Sequence, residues 1–126
     1  MKRIWLVAAE NDALPGGKVG GVGDVVRDLP IALAATGLDI RVITPSYGMF
    51  HLLPGAQLLR QVEVEFAGVV RTAEVYQVPV SGSPGAHFVV EHPLLSPNGP
   101  GQIYISDEDG KPFAIDAAKF AFFNAV

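Results

Sequence analysis

The stretch Ile4-Trp5-Leu6-Val7-Ala8-Ala9 is apolar without alternation, and the loop that follows, Glu10 to Gly23, holds five glycines and one proline. A continuous apolar run is expected of a strand covered on both faces of a parallel sheet. Val22, Val25, Val26, Leu29 and Leu33 then recur at helical spacing, so one helix face is expected to turn to the core while Arg27 and Asp28 point elsewhere. Thr36-Gly37 supplies the stop. Pro30 lies inside this helix and is expected to bend it, because its ring removes the bond to the Val26 carbonyl. Asp39 to Thr44, closed by Pro45, reads as a second strand. Strand, helix and strand in this span make a right-handed βαβ unit, the front of a doubly wound, mostly parallel α/β sheet.

Further on, Leu58 to Ala67 and Val69 to Val80 alternate apolar and polar residues around Ala67-Gly68, the pattern of an antiparallel hairpin with one solvated face. Ser81 to Gly85 forms another turn, and Ala86 to Glu91 a further strand. Residues 93 to 112 are expected to be a surface loop, and the segment from Asp116 to Val126 a helix without a stop signal. That apolar end leads us to expect the front part of a longer protein.

Composition narrows the function. The 126 residues suffice for a single domain, and 49% hydrophobic residues against 17% charged ones indicate a buried core. A formal charge of -4 offers no overall basic field for nucleic acid or an anionic membrane surface. The chain contains no cysteine, which excludes disulfides, thiolate zinc sites and thiol nucleophiles. The six-residue apolar run after Lys2-Arg3 is shorter than the roughly 7 to 15 residues of a secretory signal, and no stretch reaches the roughly 18 of a membrane span. A soluble protein that is not exported is expected.

A strand, a glycine-rich turn and a helix N-terminus form an anion site. The first-turn N–H groups have no intrahelical partner, and the helix dipole places partial positive charge there. Glycines allow close approach, and Lys18 adds a full charge. The arrangement suits phosphate or diphosphate. It is neither a Walker A loop, since Val19 follows Lys18, nor a dinucleotide fingerprint, which would need glycine at Val26. Asp24 has two readings: an acid favoured by the helix dipole, or a hydrogen-bond partner for a sugar hydroxyl.

Lys18-Val19-Gly20-Gly21-Val22-Gly23-Asp24-Val25 resembles the K-x-G-G-[LIV]-[GA]-D-V signature of bacterial glycogen synthases and plant starch synthases. Asp28-Leu29-Pro30, Gly37 to Pro45, Glu91-His92-Pro93, Gly101-Gln102-Ile103-Tyr104 and Lys119 to Phe123 resemble further landmarks of that family, in order. The resemblance implies a Rossmann-like partial N-terminal domain of a GT-B glycosyltransferase, with residues 1–126 as the N-terminal part of the catalytic domain. It implies a cytoplasmic bacterial enzyme that transfers glucose from ADP-glucose or UDP-glucose to the non-reducing end of an α-1,4-glucan, with retention, and without a metal or other cofactor. Lys18 would contact the donor diphosphate, Gly20, Gly21 and Gly23 would admit it, Asp24 would lie near donor sugar or glucan, and Glu10 would line the cleft. Lys18 and Asp24 are the implied catalytic residues. The expected partners are a nucleotide-sugar donor, an α-glucan acceptor and a C-terminal domain absent here, so the segment alone is expected to be inactive. The loop between Glu10 and Lys18 is about two residues longer than the family pattern, and Lys119 stands where the family has arginine.

Two alternatives stay open: a non-catalytic module that binds a nucleotide sugar or phosphate, and a different GT-B transferase. His51, His87 and His92 lack metal-like spacing and are expected to be ordinary surface or strand-end histidines. Asp107 to Gly110 lacks the spaced acids of a calcium loop, Ser81 and Ser83 lack a nucleophile elbow, and Phe113, Phe120, Phe122 and Phe123 read as core or as a face that packs on missing residues.

Overall fold

The computed structural model describes residues 2–105 and 114–126. The acidic turn at Asp107 to Gly110 and the side chain of Phe113 lie outside these residues. Five strands form a single mixed sheet: β1 (Arg3–Val7), β2 (Asp39–Pro45), β3 (Gln57–Phe66), β4 (Val69–Val78) and β5 (Ala86–Glu91), in the order β1-β2-β5-β4-β3. β1, β2 and β5 run parallel, and β3 and β4 add the expected antiparallel hairpin beside β5. At the hairpin turn both Ala67 (φ 52°) and Gly68 (φ 76°) are left-handed. That geometry matches the right-handed twist of the strands it joins.

Helix α1 (Gly21–Ala34) connects β1 to β2, and α2 (Ala114–Ala125) closes the chain. Core clusters lie on both sides of the sheet. Adjacent residues of β5 point to opposite faces. Val89 packs with Leu14, Tyr47, Phe50 and Ile103, while Val90 packs with Leu95, Phe122 and Phe123 of the α2 side. Phe122 and Phe123 are thus core residues, as expected.

Two expectations from periodicity need correction. β1 is an edge strand, and Trp5 and Val7 on one of its faces are 46% and 61% exposed. Its unbroken apolar run is therefore not covered on both sides by the described residues. On α1 the buried stripe is Gly23, Val26 and Pro30, while Val22, Val25 and Leu29 are exposed. Glycine and proline are scored as core by no hydrophobic count, yet Gly23 packs against Lys18 and Glu10 of the loop and Pro30 lies beside Gly85, just before β5. The valine face consequently turns outward. The helix is continuous through Pro30 and ends where Gly37 takes φ 85°.

Candidate functional site

The glycine-rich loop leaves the carboxyl end of β1, on the side of a parallel sheet where ligands of α/β proteins bind. Its first part is closed on itself. Asn11 N–H donates to the Gly17 carbonyl (2.8 Å), Leu14 N–H to the Asn11 carbonyl (3.1 Å), and Gly17 N–H to the Leu14 carbonyl (3.0 Å). Leu14 is buried beneath this ring of bonds. The extra residues around Pro15-Gly16-Gly17 thus form a compact plug rather than a loose insertion. Asn11 is tied further to His87, whose other ring nitrogen meets Ser83 Oγ at 2.8 Å.

Glu10 organises the second part. It is 3% exposed, and its Oε1 accepts the N–H groups of Val19 (2.8 Å) and Gly20 (2.7 Å). Oε2 accepts the Tyr104 hydroxyl at 2.6 Å. Burial alone would raise the carboxyl pKa, but the donors Gly20, Tyr104, Val19 and Gly23 outweigh it and hold it below the ordinary carboxylate range. Burial and the adjacent Glu10 push the Tyr104 hydroxyl up to about 12, so it remains a donor at neutral pH. Expected to line the cleft, Glu10 is an internal anion with both oxygens engaged. It occupies the donors on the inner side of the loop.

The outer side is different. Gly20 caps α1 and Gly21 begins it, and a Cβ built on either meets nothing within 4 Å. Among the described residues no acceptor faces the N–H groups of Gly21 and Val22, the orphan donors of a first helical turn. Gly23, expected among the ligand-binding glycines, points inward instead: a Cβ there would lie 3.1 Å from Lys18 Cβ and 3.3 Å from Glu10 Oε1.

Lys18 and Asp24 flank the open amides and pair with each other at 2.9 Å, with side chains 44% and 37% exposed. Asp24 keeps the Lys18 ammonium protonated by raising its pKa. Arg27 reaches Asp24 at 3.3 Å and also binds Asp12 and Asp28. An exposed, solvent-screened pair of this kind is weak, so an arriving anion can take Lys18 from Asp24 at little cost. Lys18, Gly20, Gly21 and Asp24 are brought together as expected.

Sequence reasoning missed the support. Tyr47, left-handed at φ 51° and fully buried, donates its hydroxyl to the Ala9 carbonyl next to Glu10. Tyr104 was legible only as a landmark, and its 94-residue separation from Glu10 left no signal of contact. The three histidines hold internal partners: His51 binds Ser46 and Glu91, His87 binds Asn11 and Ser83, and His92 Nδ1 accepts from Leu94 N–H. No group of three or more potential metal ligands exists among the described residues. No described helix is long and apolar enough to cross a membrane.

A family model described as "Starch synthase catalytic domain" matches residues 3–126. A glycogen synthase from Anaeromyxobacter sp. (strain K) is 36% identical over 120 residues, covering 95% of this chain and 23% of that protein. One from Gloeobacter violaceus is 36% identical over 94 residues, covering 75% of this chain and 19% of that protein. Among solved structures, the catalytic domain of starch synthase IV from Arabidopsis thaliana, bound to ADP and acarbose, superposes with a TM-score of 0.69 at 28% identity. That match covers 98% of this chain and 24% of the plant chain. The chain thus spans about a fifth to a quarter of the length of these relatives.

Proposed function

This chain belongs to the starch synthase catalytic-domain family, and from that premise we propose that it receives the diphosphate of ADP-glucose or UDP-glucose in a retaining bacterial, cytoplasmic glycosyltransferase that extends an α-1,4-glucan. The observation that carries the reading is the open outer side of the loop, where Gly20 and Gly21 leave space, two helix-terminal N–H groups have no acceptor among the described residues and Lys18 stands exposed. When the bond between the glucose anomeric carbon and the diphosphate oxygen breaks, negative charge grows on the departing diphosphate. Lys18 and the N-terminus of α1 stabilise that charge where it develops. Asp24, released from Lys18, is left free to accept a sugar hydroxyl. Binding of ADP to the plant relative supports this assignment.

Residues 1–126 would then form the N-terminal part of the catalytic domain, with later chain covering the open faces of β1 and α1 and supplying the remaining groups for catalysis. This portion alone would bind the diphosphate without turning over. In the full-length polypeptide, Lys18→Ala is expected to reduce glucose incorporation into glycogen by well over tenfold, about 1.4 kcal/mol or more of transition-state stabilisation. Wild-type incorporation by that variant removes Lys18 from the reaction. Nucleotide-sugar binding without glycogen extension from either donor would favour the non-catalytic module or a different transferase.

A further inference from the structure

We infer that Lys119 and Asp116 are positioning residues for the diphosphate loop, acting from α2 through Tyr104 and Glu10; the inference rests on the reading of that loop given above. Lys119 is a cation buried to 1% exposure, a costly placement unless its charge is used. Its ammonium bonds Asp116 at 3.0 Å and donates to the Ile103 carbonyl, with the rings of Phe120 and Tyr47 at 4.9 and 5.4 Å. Asp116, one turn earlier, accepts the Ile105 N–H at 3.0 and 3.2 Å. One helical turn therefore grips the carbonyl before Tyr104 and the N–H after it.

Ile103 and Ile105 are both buried at 3% exposure, whereas Tyr104 between them is 43% exposed and reaches Glu10. Held at both flanking peptides, Tyr104 presents its hydroxyl to Glu10 Oε2 in one orientation. The other oxygen of that carboxylate holds Val19 and Gly20, the residues immediately after Lys18 and before the open N–H of Gly21. Lys119 and Asp116 thus set the aim of donors they never touch. A lysine there for packing alone would be replaced by methionine without effect on residues 18–22.

The test uses hydrogen–deuterium exchange of the peptide spanning residues 18–22 in the intact protein, with ADP as the binding probe. Lys119→Met and Tyr104→Phe are each expected to speed exchange there, and to weaken ADP binding, by about fivefold or more. Lys119→Arg should restore both readouts. The double variant should match Tyr104→Phe alone, because the two residues act in series. Unchanged exchange at 18–22 in folded Lys119→Met, or additive effects in the double variant, overturns the inference. If Lys119→Met does not fold, Asp116→Asn takes its place, and unchanged exchange at 18–22 in both Asp116→Asn and Tyr104→Phe overturns it equally. Failure of the wild-type protein to bind ADP, with exchange still responding to Tyr104→Phe, would instead count against the diphosphate reading and leave the pin standing.

Discussion

Four of the five glycines of one loop divide into an inner pair and an outer pair. Gly17 and Gly23 are surrounded: a Cβ at Gly17 would sit 2.0 Å from the Asn11 carbonyl oxygen, and one at Gly23 would press on Lys18 and Glu10. Gly20 and Gly21 face open space, and the φ of Gly20, -137°, is one that any residue adopts. The same residue type thus has two separate causes. The inner glycines are required by packing within the loop, whereas nothing inside the described residues requires the outer ones.

Substitutions can break this division. Gly17→Ala should have the largest effect, a loss of about 3 kcal/mol in stability, because backbone rather than a flexible side chain must move. Gly23→Ala should cost less, about 1–2 kcal/mol, since its nearest contacts yield by a few tenths of an ångström. Chemical denaturation measures both, and equal stability of Gly17→Ala and wild type would collapse the distinction. Gly21→Ala should leave stability within about 0.5 kcal/mol of wild type. Its ADP affinity should nevertheless fall about tenfold in calorimetric titration. A stability loss like that of Gly17→Ala would move Gly21 to the inner class.

Acid separates the two sides more gently. Glu10 has a folded-state pKa below its unfolded value, so its contribution is complete above the ordinary carboxylate range and is lost as pH falls through the folded value. Protection of the Val19 and Gly20 amides should fade over that interval, while Gly21 and Val22 stay unprotected throughout. Exchange rates measured across the acid limb and corrected for intrinsic rates check this. His87 acts at higher pH. Burial lowers its pKa, so its neutral form is favoured in the fold, and stability should begin to fall as pH drops below about 6.5. Protonation would set an Nδ1–H against the Asn11 amide and loosen the plug that Asn11 closes.

Much of the fold was legible along the chain. β2, β5, the β3–β4 hairpin and the start of α1 follow from local apolar periods and turn residues, which act over a few positions. Lys18, Gly20, Gly21 and Asp24 were legible for the same reason, since they lie within seven consecutive residues of one strand–loop–helix passage. The face that α1 buries was not legible. Periodicity finds an apolar stripe without saying what covers it, and here α1 buries Gly23, Val26 and Pro30 while Val22, Val25 and Leu29 stay exposed.

By itself, then, the sequence determined a parallel βαβ start with a glycine-rich loop at a helix N-terminus, because strand, glycine turn and helix terminus are all local in the chain. Only the tertiary structure decided that Glu10 is the loop's internal anion, with both carboxylate oxygens engaged. Its hydroxyl partner, Tyr104, lies 94 residues away and is held by the buried pair on α2. A hydrogen bond forms between groups that folding brings within 3 Å, and nothing in the spacing of residues along the chain encodes that meeting.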